Sequence, residues 1–140
     1  MSKSREILEN TGQRVTKPRL KILEILMEKV TPMSVHDISK KMSDKKINTS
    51  TIYRNLTELE KCGVVSRVNI DKDMSYFEFV KEKDHHHHHM VCKKCKKIEE
   101  IEICEINMYL KNVLKKSRHF KKLTEHSLEF FGTCKKCDTK

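Results

Sequence analysis

No stretch of about 18 consecutive apolar residues occurs in this 140-residue chain, so the sequence offers no transmembrane helix. A charged start followed by an apolar leader is missing too, and an unexported, cytoplasmic chain with no membrane partner is the expectation. There is no His-Glu-x-x-His arrangement and no evident nucleophile, which removes the main sequence support for a metallohydrolase. Glycine and proline are scarce, at three and two residues, and those present act as punctuation. Six cysteines in a chain without an export signal favour metal over disulfides.

What is abundant is positive charge. Lys and Arg number 30 against 20 Asp and Glu, a formal net charge of +10, which is the electrostatic footprint of a nucleic-acid binder and also of many basic enzymes. The length suits one compact domain or two small ones, and a small domain benefits from a metal staple. Residues 85–95 read His-His-His-His-His-Met-Val-Cys-Lys-Lys-Cys, and Cys134 and Cys137 form a second Cys-x-x-Cys. Two such pairs, Cys92 with Cys95 and Cys134 with Cys137, supply the four soft ligands of a closed tetrahedral zinc site. Imidazole is less selective, and a bare histidine tract also fits metal storage.

Up to Gly63 the pattern is a series of short helices. Ser4 is the expected cap of the first, which ends before Gly12, and Thr16-Lys17-Pro18 opens a second with Leu20, Leu23 and Met27 at helical spacing. A third begins near Ser34 with Val35, Ile38 and Met42 on one face. The fourth opens at Asn48 or Thr49, points Ile52, Leu56 and Leu59 inward, leaves Ser50, Thr51, Tyr53 and Arg54 outside, and stops at Gly63. Val64, Val65 and Val68, a turn over 69–73, then Tyr76, Phe77, Phe79 and Val80 read as a β-hairpin.

Helices followed by a hairpin predict a winged helix-turn-helix, whose last helix enters the DNA major groove. On that helix Arg54 can pair with guanine, Tyr53 can pack on a thymine methyl or reach a phosphate, and Ser50 and Thr51 can position on the backbone, while Arg14 and Arg19 can hold phosphates or a minor groove. The overall expectation is an α+β chain: a winged-helix DNA-binding domain over 1–80, a charged hinge over 81–84, and a small α/β metal-binding dimerisation domain over 85–140. In the last, the histidine run and Ile98–Ile103 read as strands, Glu105–Lys116 as an amphipathic helix and Leu123–Thr133 as a closing strand.

An extended histidine run sends His85, His87 and His89 to one face and His86 and His88 to the other, so one strand can line two metal sites. Glu100 and Glu102 share a face opposite Glu99 and can complete a mixed nitrogen and oxygen shell that exchanges its ion. One locked zinc beside labile sites has the parts of a metal-operated switch.

Thr51-Ile52-Tyr53-Arg54-Asn55-Leu56, Arg14-Val15-Thr16-Lys17-Pro18-Arg19, the histidine stretch running into Cys92-x-x-Cys95, and His126-Ser127-Leu128 leading to Cys134 together resemble the ferric uptake regulator family. The resemblance spans nearly the whole chain. It implies a homodimeric, metal-responsive bacterial transcription factor that usually represses by binding an AT-rich inverted repeat. It also implies Cys92, Cys95, Cys134 and Cys137 as structural zinc ligands, Glu78, His87, His89 and Glu100 as the regulatory metal set, and His86, His88 and His126 as a further site.

Two positions depart from the family pattern. Pro32 stands where a sensing histidine is often found, with His36 four residues on, and Asn107 stands where the further site has a carboxylate, with Glu105 nearby. Cys62 and Cys104 lack a Cys-x-x-Cys partner and read as small buried side chains, and His119 as exposed. Within the family that the chain resembles, peroxide sensors characteristically carry aspartates where Glu78 and Glu100 stand and zinc sensors often add a cysteine to the exchangeable site, whereas no cysteine lies between Cys62 and Cys92, so the resemblance argues against both roles. Iron(II) is therefore the first expectation for the exchangeable ion, with zinc and manganese as alternatives.

Overall fold

A computed structural model describes residues 2–29, 31–71, 73–81, 87–102, 106–124, 126 and 128–138. The chain divides into two compact units, Met1–Lys83 and Asp84–Lys140. Of the expected hinge only Lys81 is a described residue. No helix among the described residues is long and apolar enough to cross a membrane.

Among the described residues of the first unit, each of the four helices starts on a side chain that caps it. α1 (Lys3–Asn10) begins after Ser2, whose Oγ accepts from the Arg5 amide at 3.3 Å. This corrects the expected cap at Ser4. With Ser2 already taking the cap, Ser4 falls in the first turn, where it is buried and its hydroxyl donates to Glu24 Oε1 at 3.3 Å. α2 (Lys17–Glu28) is capped by Thr16, α3 (Val35–Lys41) by Ser34 and α4 (Thr49–Lys61) by Asn48, as the sequence predicts. Gly63, past the end of α4, has φ +78, a left-handed conformation that other residues adopt at a cost.

The inward faces of these helices meet in one core. Leu8, Ile22, Leu23, Ile38, Ile52, Leu56 and Leu59 are fully buried there, at about 1.5–3 kcal/mol each. β2 (Val65–Val68) and β3 (Tyr76–Phe79) form the antiparallel wing, with Val65 opposite Phe79 and Val68 opposite Tyr76. A third strand, β1 (Met33–Ser34), pairs with β3 and was not expected: two residues carry no readable alternation, and only their pairing with Tyr76 and Phe77 defines them as a strand. The sheet order is β1-β3-β2, and Phe77 on its central strand drops fully into the helical core.

Among the described residues the second unit holds a three-stranded sheet in the order β5-β4-β6. β4 (His87–Cys92) lies in the middle, antiparallel to β5 (Ile98–Glu102) and parallel to β6 (Glu129–Gly132). β6 is shorter than the expected strand over 123–133, its pairing with β4 running from His89 opposite Glu129 to Cys92 opposite Gly132. α5 (Ile106–Lys115) leaves Met108 and Tyr109 71% and 65% exposed, and Phe131 of β6 is 48% exposed. Among the described residues of this unit, the buried apolar side chains are Val91 and Cys92.

Candidate functional site

The two Cys-x-x-Cys pairs converge. β4 ends at Cys92, and a tight turn through Lys96, at φ 65, folds the chain back to β5 with the Lys96 amide on the Cys92 carbonyl at 2.9 Å. The parallel register of β6 delivers Cys134 to the same place, and its amide donates to Cys92 Sγ at 3.4 Å. The four sulfurs lie within 4.8 Å of one another, and Cys95 Sγ is 3.7 Å from Cys134 Sγ. Zinc–sulfur bonds of about 2.3 Å in a tetrahedron place sulfurs roughly 3.8 Å apart, so the set has the spacing of a thiolate cage.

Backbone amides prepare the sulfurs for an ion. The N–H groups of Cys95 and then Cys134 hold the Cys92 thiol down to about 6, and the Cys137 amide lowers Cys134. Cys137, facing the sulfurs of Cys134 and Cys95, is pushed up to about 12. Four adjacent sulfurs resist carrying four negative charges, and a divalent cation relieves that repulsion.

Further back along the same strand is an imidazole and carboxylate cluster. On β4, His87 and His89 share a face as the parity argument expects, with rings 5.3 Å apart and nearly perpendicular. β5 places Glu100 directly opposite His89, and Glu100 Oε1 lies 3.7 Å from His87 Nδ1. His89 is only 4% exposed, and its ligating nitrogen lies within 4.8 Å of that of His87. Nitrogen and oxygen donors in this proportion suit exchangeable first-row ions better than a thiolate cage does. Glu78 lies on β3 in the first unit. Pro32 is buried, and His36 is exposed on α3.

The opposite face of β4 carries His88, buried at 5% exposure, with its ring 5.3 Å from that of His126. A carbonyl only accepts, so the 3.1 Å contact between His88 Nδ1 and Leu128 O makes Nδ1 the donor and puts the lone pair of the neutral ring on Nε2. His85, His86, Cys104 and Glu105 lie outside the described residues, as does the side chain of Asn107. Cys62 packs against the helical core and His119 is exposed.

In the first unit, α4 presents a polar outer face. Ser50, Tyr53 and Arg54 are exposed and, with Val35 of α3, line a shallow depression of about 570 Å³. Thr51 is half-buried, and its amide is taken by the Asn48 cap at 2.9 Å. Arg14 is exposed in the α1–α2 loop. Arg19 is engaged inside the protein: Nε donates to Asn55 Oδ1 at 3.1 Å and Nη1 to Gln13 Oε1 at 3.0 Å, tying that loop to α4.

Sequence reasoning passed over Arg67. From β2 it donates to the Tyr53 hydroxyl at 2.9 Å and, through Nε and Nη2, to Glu60 Oε2 at 3.2 and 3.1 Å. Its place beside the outer face of α4 depends on how the wing packs, and no local motif signals it.

The family model that matches this chain is that of the ferric uptake regulator family, over residues 10–131. The ferric uptake regulation protein of Klebsiella pneumoniae is 36% identical over 141 residues, covering 99% of this chain and 88% of that protein. Among solved structures, the Vibrio cholerae ferric uptake regulator is 33% identical with a TM-score of 0.75, covering 93% of this chain and 98% of that one. The Helicobacter pylori regulator, described as having three functional metal binding sites, is 30% identical with a TM-score of 0.78, covering 97% and 89%.

Proposed function

The chain belongs to the ferric uptake regulator family, and from that premise we propose that it is an iron(II)-responsive repressor, cytoplasmic, that binds an AT-rich inverted repeat in double-stranded DNA as a homodimer. The observation that carries the reading is the convergence of His87, His89 and Glu100 on one face of a sheet, in a chain whose α4 exposes Tyr53 and Arg54.

In this reading Cys92, Cys95, Cys134 and Cys137 hold a structural zinc that folds the second unit. His87, His89 and Glu100, joined by Glu78, hold the exchangeable ion, and His88 and His126 with His86 form the further site. The exchangeable ion supplies positive charge that neutralises the carboxylates and gives the imidazoles a common partner. With the ion bound, the glutamates are fixed and the relative orientation of DNA-binding and dimerising parts is restricted, which favours one DNA-competent arrangement. Arg54 and Tyr53 read bases, while Ser50, Thr51, Arg14 and Arg19 position the helix on the backbone. The exposed Met108, Tyr109 and Phe131 support a second copy of the chain as the partner of α5 and β6.

The test is anaerobic fluorescence anisotropy on a labelled AT-rich inverted repeat, with zinc-loaded protein alone and with added Fe(II), Mn(II) or Zn(II). Tightening on addition of Fe(II) is expected, with Zn(II) able to act at a lower free concentration because its intrinsic affinity for such a site is higher. A protein that binds that repeat and a scrambled duplex equally, whatever ion is added, refutes the reading.

A further inference from the structure

We propose that Arg67 is a positioning residue for DNA recognition: it fixes the ring of Tyr53 and occupies the acceptor side of its hydroxyl, so that Tyr53 meets the duplex as a hydrogen-bond donor. This rests on the reading of α4 as the recognition helix and adds a residue and a chemical polarity to it.

The guanidinium is spent on internal partners. Nε and Nη2 both go to Glu60 Oε2, and Nη1 goes to the Tyr53 hydroxyl at 2.9 Å and to Ser75 Oγ at 3.4 Å. Its central carbon lies 5.3 Å from the Tyr53 ring centroid and 5.1 Å from that of Phe77. Phe77 in turn meets Tyr53 edge-to-face, with centroids 6.2 Å apart at 83°. One cation therefore joins the first half of α4, its last turn and both wing strands, and Tyr53 is held at its face, its edge and its oxygen.

Arginine has donors and no acceptor. At the Tyr53 oxygen the guanidinium must donate, and the phenolic proton is then directed to some other acceptor. A duplex supplies such acceptors on its base edges, in guanine O6 and N7 and thymine O4. Glu60 neutralises Arg67 locally, so the group that faces DNA is the uncharged phenol and the arginine contributes orientation. Lysine keeps the charge and loses the planar fork that engages Glu60 and Tyr53 together.

The experiment compares wild type, Tyr53→Phe, Arg67→Lys and the double variant, metal-loaded, on an inverted-repeat duplex and a scrambled duplex over a range of salt. Each single change is expected to weaken the inverted repeat about tenfold, the size of one charge-assisted hydrogen bond, with the scrambled duplex changed by less than about twofold. The double variant should fall within about twofold of either single, because both changes remove one unit, and the salt slope should hold. Additive losses overturn the proposal. So does an equal loss on both duplexes in a charge-removing Arg67→Gln variant with a salt slope smaller by about 0.9, which would make Arg67 a direct phosphate contact. If Arg67→Lys melts too low to test, Glu60→Gln loosens the same guanidinium: it should reduce discrimination with Tyr53 present and leave it unchanged in the Tyr53→Phe background, and an equal effect in both overturns the proposal. A wild type with no preference between the duplexes counts against α4 as a recognition helix, whereas wild-type preference without coupling counts against Arg67 alone.

Discussion

Removing zinc from the Cys92, Cys95, Cys134 and Cys137 cage should unfold the second unit and leave the first folded. The asymmetry comes from what each unit buries. The first has a continuous core of fully buried Leu and Ile side chains with Phe77 among them. The second, among its described residues, buries only Val91 and Cys92 as apolar side chains, and Val91 alone is worth about 1.5–3 kcal/mol. Ordering the chain costs about 1–2 kcal/mol per residue, so the sheet needs a further source of stability. A structural zinc of this kind contributes on the order of 10–16 kcal/mol at neutral pH, enough to decide the outcome. Amide hydrogen exchange reads both units at once: a strong chelator is added, released zinc is quantified, and protection is followed at Ile52, Leu56 and Leu59 and at His88, Val91 and Ile101. With one zinc removed per chain, protection in β4 and β5 should fall by more than about a thousandfold while α4 changes by less than about threefold. If β4 and β5 keep their protection in zinc-free protein diluted until it is monomeric, the apolar core suffices and the reasoning fails.

His87→Ala and His89→Ala should each leave zinc content and dimer mass unchanged and abolish the metal-dependent gain in DNA affinity; an undiminished gain in both removes them from the regulatory site. Arg54→Ala should weaken specific binding by about 1–3 kcal/mol and relax preference at one or two base pairs, seen by competition with single-substituted duplexes. Leu56→Ala should cost about 3 kcal/mol, roughly 12 to 24 °C in the melting temperature of the first unit, by calorimetry. Gly63→Ala meets no atom within 4 Å, so its loss of about 1–2 kcal/mol should come from the φ of +78 alone, and Gly63→Asn should lose less in the same melt.

The sequence announced α4 well because every level agrees there: Asn48 caps it, Ile52, Leu56 and Leu59 recur at helical spacing, and Gly63 ends it. The parity of the histidine run needed only an extended backbone, which is why His87 with His89, and His88 with His126, sort to opposite faces. The misplaced first cap came from two serines two residues apart, both suited to starting a helix, a choice settled by the packing of α1 against Glu24. Strand β1 and the true extent of β6 were hidden because each is defined by its partner strand rather than by its own pattern. Arg67 was hidden for a related reason: its role depends on Tyr53, Glu60 and Phe77, which meet only when the wing folds onto α4.

The placement of β4 at the centre of its sheet bears on how the protein is made. Its partner β5 follows within a few residues, but β6 and the second cysteine pair are about forty residues further along. During synthesis the first unit can close on sequence already released, while the histidine strand emerges with one long edge unpaired and two thiols without their counterparts. For that interval it is a sticky edge and an open chelator together. Slowed elongation or starvation for zinc should therefore damage nascent chains at the second unit while the first unit stays intact.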